Sequence, residues 1–154
     1  MTRSDSLRSL ELEVGVMIRR VRRVIGDRAR AVHPDLQPAS YLILSSVASS
    51  GPVRASVLVE LFDIDKGAIS RQVGHLLELG LLVKEPDPDD ARASLISLTD
   101  EGQRRMADVA EHRYKLLDEN LADWDAAELE SFVADLSRYN RALNRAVGMS
   151  DDAR

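Results

Sequence analysis

The sequence has 154 residues, of which 44% are hydrophobic, 31% charged and 4% aromatic, and its formal net charge is −5. This length fits one domain, and this composition is typical of helix-rich proteins whose long polar faces meet water. The absence of cysteine excludes disulfides, thiolate metal sites and cysteine nucleophiles, and the apolar runs are too short to span a bilayer, so we expect a cytoplasmic protein with no membrane partner.

Two helices are predicted at the start of the chain. Residues 7–32 carry Leu, Val, Met and Ile at steps of three and four residues, which predicts an amphipathic helix that ends at His33-Pro34. Pro38 favours the start of a second helix, from about Ala39 to Ala48. Because this segment is dense in Leu, Ile and Val, we expect the second helix to be buried.

A helix-turn-helix is predicted in the middle of the chain. Ala55 to Phe62 has the pattern of a short helix, and Asp63-Ile64 follows as a turn. Asp65 can then cap a helix that runs to about Leu79, where Gly80 has the character of a C-cap.

A β-hairpin is predicted directly behind this helix. Leu81 to Lys84 and Ser94 to Leu98 have the composition of strands, and residues 85–93 between them form an acidic, turn-rich tip. A hairpin in this position is the wing of a winged helix-turn-helix. We assign a DNA-binding lobe of this kind to residues 37–99.

Two more helices complete the predicted fold, which is mainly α with a small β-hairpin wing in a single unit over residues 1–154. Thr99 can cap a long helix that ends near Ala122, and Asp125 and Glu128 have the spacing of a capping box for the last helix.

The outer helices carry apolar faces that a lone winged helix-turn-helix does not cover. We therefore assign residues 1–36 and 100–148 to the pairing of two subunits in a homodimer. Residues 149–154 are expected to fray.

The helix from Asp65 to Leu79 has the properties of a recognition helix. Its apolar side chains occupy one face, so its small, hydroxyl and basic side chains point the other way. An arginine there can fork onto guanine, and hydroxyl or amide groups can reach base edges or phosphates. With the wing and flanking basic positions, the candidate DNA-binding residues are Arg54, Lys66, Gly67, Ser70, Arg71, Gln72, His75, Lys84, Asp90 and Arg92.

The wing supplies a second predicted contact with double-stranded DNA. Arg92 is expected near the tip, where it can enter a minor groove, and Asp90 can orient its guanidinium. The charge distribution weighs against this interpretation, because residues 33–98 contain 5 Lys and Arg against 9 Asp and Glu. Any DNA-binding surface must therefore be a local patch.

Three stretches, in this order, resemble the MarR family of bacterial transcription regulators. Residues 65–82, DKGAISRQVGHLLELGLL, are similar to the family's recognition helix and the start of its wing. Residues 90–102 contain an Asp-x-Arg ahead of Leu-Thr-x-x-Gly, which is similar to the family's wing signature. The helical frame around them, including Trp124-Asp125 and Leu136 to Leu143, resembles the family's C-terminal dimerisation helix. By length and order of elements, the resemblance covers nearly the whole chain.

The resemblance implies a homodimer with two winged lobes on a near-palindromic operator. It also implies a regulator that usually represses transcription until a small effector, often an aromatic anion, binds. No cofactor is implied. The chain departs from many relatives at Ala91, where they carry a second basic residue, and its wing tip is rich in aspartate.

Other functions have weaker support in the sequence. A winged helix can serve protein interaction without DNA binding, and the acidic middle segment keeps this alternative open. The chain has no Gly-x-Ser-x-Gly, Walker A or His-Glu-x-x-His motif, so we do not expect an enzyme. Its histidines His33, His75 and His112 are scattered, so no metal site is predicted.

Two features allow more than one interpretation. The first helix is rich in arginines that can contact phosphates or line an anion pocket, although a solvated or intersubunit face is the more ordinary interpretation. These arginines are Arg19, Arg20, Arg22, Arg23, Arg28 and Arg30. Tyr41 and Trp124 can border a ligand cavity or pack in the core.

Overall fold

The computed structural model describes residues 2–147, which form six helices and three strands. The chain divides into two compact units, Met1–Ala110 and Glu111–Arg154, and the boundary falls inside the fifth helix. In the described part of the chain, no helix is both long and apolar enough to cross a membrane.

The first helix, α1, spans Arg3–Val32 and begins four residues earlier than predicted. Thr2 and Asp5 form a capping box: the Thr2 hydroxyl accepts from the Asp5 amide at 3.2 Å, and the Asp5 carboxylate accepts from the Thr2 amide at 2.9 Å. These hydrogen bonds give partners to backbone amides that have none within the helix at its start. The helix ends before His33-Pro34, as predicted.

The second helix, α2, spans Pro38–Ser50 and lies in the middle of the core of the first unit. Its Tyr41, Leu44 and Val47 are buried, which confirms the predicted burial and assigns Tyr41 to the core. Each fully buried Leu or Ile contributes about 1.5–3 kcal/mol to folding. The largest fully buried apolar residues of this core are Val32, Ile43, Leu44, Val47, Leu58, Ile69, Leu76, Leu81 and Ile96.

The helix-turn-helix has the predicted boundaries. Helix α3 spans Ala55–Phe62 and helix α4 spans Lys66–Glu78. Asp63 turns the chain in the left-handed region with φ of 49°, a conformation that Asp tolerates better than most residues. The Asp65 carboxylate then accepts from the Ala68 amide at 2.9 Å and starts α4.

A three-stranded antiparallel sheet follows the order β1-β3-β2, with β1 at Val53–Arg54, β2 at Leu82–Asp87 and β3 at Asp90–Leu98. Strand β1 was not predicted, because two residues carry no alternation that a pattern can detect. The expectation of a loop over residues 85–93 was wrong, since both strands extend into it and only Pro88-Asp89 turn. Pro86 is tolerated inside β2 because that strand lies at the sheet edge.

Helix α5 spans Asp100–Asn120, and the Thr99 hydroxyl accepts from the Gly102 amide at 3.0 Å, which is the predicted cap. Helix α6 spans Ala126–Val147. Its predicted capping box is confirmed, because the Asp125 and Glu128 side chains each accept from the other residue's amide at 2.9 Å. The fraying expected for residues 149–154 lies outside the described residues.

Candidate nucleic-acid interface

The exposed face of helix α4 is built from small and basic residues. Lys66, Gly67, Ser70 and Arg71 are all exposed, whereas Ile69 on the opposite face is buried. The acid nearest this face, Asp65, is engaged in the helix cap. The first two turns of α4 therefore present hydroxyl, ammonium and guanidinium groups to solvent.

Two further candidates on α4 turn toward the body of the lobe. The buried Ser40 hydroxyl donates to the Gln72 side-chain oxygen, and His75 Nε2 lies 3.3 Å from the backbone oxygen of Asp35. Both side chains are half-buried. They tie α4 to α2 and to the loop before it, so their fixed contacts orient the helix as well as flank its exposed face.

The wing presents two basic side chains. Lys84 on β2 and Arg92 on β3 are exposed, and Lys84 pairs with Ile96 across the ladder. Asp90 Oδ1 accepts from the Arg92 backbone amide at 3.0 Å, and its other oxygen lies 3.9 Å from Arg54 Nη1. The predicted orientation of the Arg92 guanidinium by Asp90 was therefore wrong: Asp90 holds the Arg92 backbone instead.

Arg54, another candidate, has a side chain that is 42% exposed, and its guanidinium is paired with Asp87 of the wing. Its Nε and Nη2 both lie 2.6 Å from Asp87 Oδ2, and the Asp89 amide donates to Asp87 Oδ1 at 2.9 Å. The Asp87 side chain is only 4% exposed. The Asp89 amide, and after it the Arg54 guanidinium, hold the pKa of Asp87 below its usual range despite burial.

This pair changes the electrostatics that the sequence suggested for the wing tip. Asp87 is neutralised by Arg54, and Asp90 lies beside the same guanidinium. The tip is therefore less acidic toward an approaching phosphate than its run of aspartates indicates. The sequence could not reveal this, because Arg54 and Asp87 are 33 residues apart.

Thr99 joins the end of α4 to the start of α5. Its hydroxyl donates to the backbone oxygen of Gly80 at 2.7 Å, and its amide donates to that of Leu81 at 3.1 Å. The same hydroxyl caps α5 through Gly102. The Leu-Thr-x-x-Gly stretch thus hydrogen-bonds the start of α5 to the backbone that follows α4.

The remaining features of the sequence have plain positions in the structure. Trp124 is 41% exposed and meets Phe132 edge-on at 5.4 Å, so it is not a core residue of the described chain. Of the six α1 arginines between positions 19 and 30, five are exposed and Arg28 is half-buried. Among residues 2–147, no three His, Asp or Glu side chains form a group suited to a metal ion.

The helix-turn-helix, its hairpin wing and the exposed face of the first two turns of α4, which carries no acid, define a winged helix-turn-helix protein of the DNA-binding kind. The model of the MarR family matches residues 35–93. The HTH-type transcriptional regulator YxaD of Bacillus subtilis is 30% identical over 143 residues, which cover 93% of this chain and 99% of that protein. The chain belongs to the MarR family, and it is a DNA-binding transcription regulator and not an enzyme.

Solved structures share the fold. The crystal structure of a MarR family transcription regulator superimposes with a TM-score of 0.79 at 15% identity, and the match covers 96% of each chain. A mutant of MarR from Escherichia coli, solved in complex with operator DNA, gives a TM-score of 0.66 at 19% identity over 90% of this chain and 99% of that one. The predicted family and fold class are confirmed.

Proposed function

We propose that the protein represses transcription in the cytoplasm by binding a near-palindromic operator as a homodimer. The observation that carries this proposal is the exposed, acid-free face of α4 formed by Lys66, Gly67, Ser70 and Arg71. A helix fits the major groove, where Arg71 can fork onto guanine and Ser70 can reach a base or phosphate. Small residues such as Gly67 let the backbone approach closely.

The wing supplies the second contact in this proposal. Arg92 follows Ala91 on β3 and is exposed, and its backbone amide donates a hydrogen bond to Asp90. Wing arginines enter minor grooves, where narrow A·T-rich stretches concentrate negative potential. Lys84, exposed on the neighbouring strand, is suited to a phosphate.

Pairing of two subunits is supported by apolar side chains that each unit leaves exposed. In the first unit, α1 exposes Leu7, Leu10, Leu12, Met17, Ile18, Val21 and Val24. In the second unit, α5 and α6 expose Leu116, Leu117, Phe132, Val133 and Leu143. Groups of exposed apolar side chains on one helix mark protein interfaces. Two copies of one chain most often cover such surfaces by pairing about a two-fold axis.

The twofold arrangement gives the proposed operator its form. Two copies of α4 fall about 34–36 Å apart when they read half-sites one helical turn apart on the same DNA face. A ligand that favours a different separation weakens operator binding. The arginines of α1 support an anionic aromatic effector for this role, since guanidinium groups bind carboxylates and stack on rings.

A salt-titrated shift assay tests the proposal. Duplex fragments from the region upstream of the protein's own gene are incubated with it between about 50 and 200 mM salt, with scrambled fragments of equal length as control. We expect preferential retention of one fragment and a steep loss of affinity with salt. A folded protein that binds no duplex at low salt would instead support a winged helix used for protein interaction.

A further inference from the structure

Arg54 and Asp87 connect the two outer strands of the sheet across the central one. Arg54 ends β1, Asp87 ends β2, and β3 lies between these strands. Arg54 pairs with Leu95 in the ladder, whereas Asp87 pairs with Asp90 at the turn. The Arg54 side chain therefore reaches along β3 toward the wing tip to meet Asp87.

Two nitrogens of Arg54 contact Asp87 at short distance, and the Asp87 side chain is buried. Nε and Nη2 of Arg54 both approach the same oxygen of Asp87 at 2.6 Å. The second oxygen of Asp87 accepts from the Asp89 amide, so both oxygens of this buried carboxylate are engaged. Removing the guanidinium would leave a buried charge without its partner, which a structure avoids by rearranging.

The same guanidinium is also connected to Arg92. Arg54 Nη1 lies 3.9 Å from one oxygen of Asp90, and the other oxygen accepts from the Arg92 amide. One arginine at the base of the sheet thus contacts the carboxylates on both sides of the Pro88-Asp89 turn. A two-stranded hairpin is only marginally stable alone, so such a contact determines where its tip points.

We propose that Arg54 and Asp87 are positioning residues that fix the wing so that Arg92 meets the DNA, and that Arg54 is not itself a DNA contact. This inference rests on the proposed role of Arg92 in the minor groove. It replaces the sequence-based expectation that the Arg54 guanidinium touches DNA.

A double-mutant cycle tests the proposal on the duplex fragment retained in the shift assay. We expect Arg92→Ala to weaken binding by about 5- to 150-fold. Arg54→Gln alone should weaken binding to a similar extent. In the Arg92→Ala background, Arg54→Gln should cause no further loss and no further change in the salt dependence, because Arg54 acts through Arg92.

Footprinting separates positioning from general damage to the fold. With Arg54→Gln bound, the DNA should lose its protection from hydroxyl radicals at the minor-groove sites of the wing. Guanine N7 atoms in the major groove, which α4 covers, should stay protected from methylation. A fold that is merely weakened would lose both protections in parallel, which would overturn the proposal. Asp87→Asn should reproduce the Arg54→Gln footprint, and it serves as the second variant if Arg54→Gln does not fold.

Arg104→Gln is the matched control. Arg104 also forms ion pairs, with Glu101 and Asp108, and Glu101 keeps Arg105 as a partner when Arg104 is removed. This control should bind as wild type does. A direct phosphate contact of Arg54 would give additive losses in the double mutant. For Arg54→Gln, it would also reduce the slope of log binding constant against log salt concentration by about 0.9 in magnitude. That result would overturn the positioning role of Arg54 and leave the proposed function standing. An Arg92→Ala variant that binds normally would overturn the inference together with the proposed role of the wing.

Discussion

A side chain at Gly102 would overlap the backbone oxygen of Leu81, and its Cβ would lie 3.1 Å from the Leu81 carbonyl carbon. The close approach follows from Thr99, which caps α5 through the Gly102 amide while its own amide donates to the Leu81 oxygen. Leu81 itself is fully buried at the end of the helix-turn-helix. The first turn of α5 is therefore pressed against the backbone that leads into the wing, which is possible because Gly102 has no side chain.

Gly102→Ala should destabilise the protein strongly. Neither the Leu81 backbone nor the capped start of α5 can move away cheaply, so we expect a loss of about 3 kcal/mol or more in the free energy of unfolding. Urea denaturation measures it. Gly74→Ala is the matched control, because nothing lies within 4 Å of a Cβ added there. Since alanine favours helix over glycine, this control should be neutral or more stable by up to about 1 kcal/mol, and equal effects of the two substitutions would refute the argument.

Arg71→Ala should reduce affinity for the operator. If Arg71 reads a base, the loss should be about 1–3 kcal/mol and should be absent with scrambled DNA. If it contacts a phosphate, operator and scrambled DNA should weaken alike. Titration of both duplexes by fluorescence anisotropy distinguishes these cases. Arg138→Ala, which removes another exposed arginine, from α6, is the control. A folded Arg71→Ala variant with unchanged operator affinity would remove Arg71 from the interface.

Local signals made most of the fold predictable from the sequence. The start of α4 was assigned correctly because the cap is local: the Asp65 carboxylate accepts a hydrogen bond from the Ala68 amide, three residues away. The capping box at Asp125 is equally local. Strand β1 was missed because its two residues form a strand only through pairing with Ile96 and Leu95.

The candidate site was predictable only in part, because some of its contacts join residues that are far apart in the chain. The exposed face of α4 follows from helical periodicity, so Lys66 and Arg71 were assigned to it from sequence alone. The inward contacts of Gln72 and His75 depend on Ser40 and Asp35, which are 32 and 40 residues away in the chain. A residue's spacing predicts the face on which it lies, but distant partners decide what its polar atoms contact.

Asp87→Asn should lower stability in a pH-dependent way. The pKa of Asp87 lies below its ordinary value of 3.8 in the folded protein, mainly because the Asp89 amide donates to it. A lowered carboxylate pKa contributes stability that is present above the ordinary value and is lost as the pH falls through the folded one. The difference between wild type and Asp87→Asn should therefore be constant from pH 7 to about 5 and shrink below about 4.

Urea denaturation across this pH range provides the measurement. Asp89→Asn is the matched control, because it makes the same change at an exposed position of the same turn. Its effect on the free energy of unfolding should be small. A difference between wild type and Asp87→Asn that does not shrink in acid would indicate that the ionised carboxylate adds no stability.

Val133→Asp should separate the subunits of the proposed dimer. Val133 is 60% exposed on α6, so a carboxylate there costs the single chain little but would be buried in a paired interface. Sedimentation should show a monomer, and circular dichroism should show wild-type helix content. Operator affinity should fall steeply because one lobe binds half the site. Asn140→Asp adds the same charge at an exposed polar position of α6 and should stay dimeric. A wild-type protein that sediments as a monomer would reject the dimeric scheme altogether.

An anionic aromatic ligand should weaken operator binding by the dimer. The effect requires tighter binding to the arrangement that does not fit DNA, and a tenfold loss of operator affinity needs about 1.4 kcal/mol of such coupling. Salicylate is the probe, and salicylamide, which has the same ring without the carboxylate charge, is its control. By reciprocity, bound operator should weaken salicylate binding by the same factor, which calorimetry on the free dimer and on the complex can measure. An operator affinity that is unchanged at saturating salicylate would reject the anionic effector and leave DNA recognition by α4 and the wing intact.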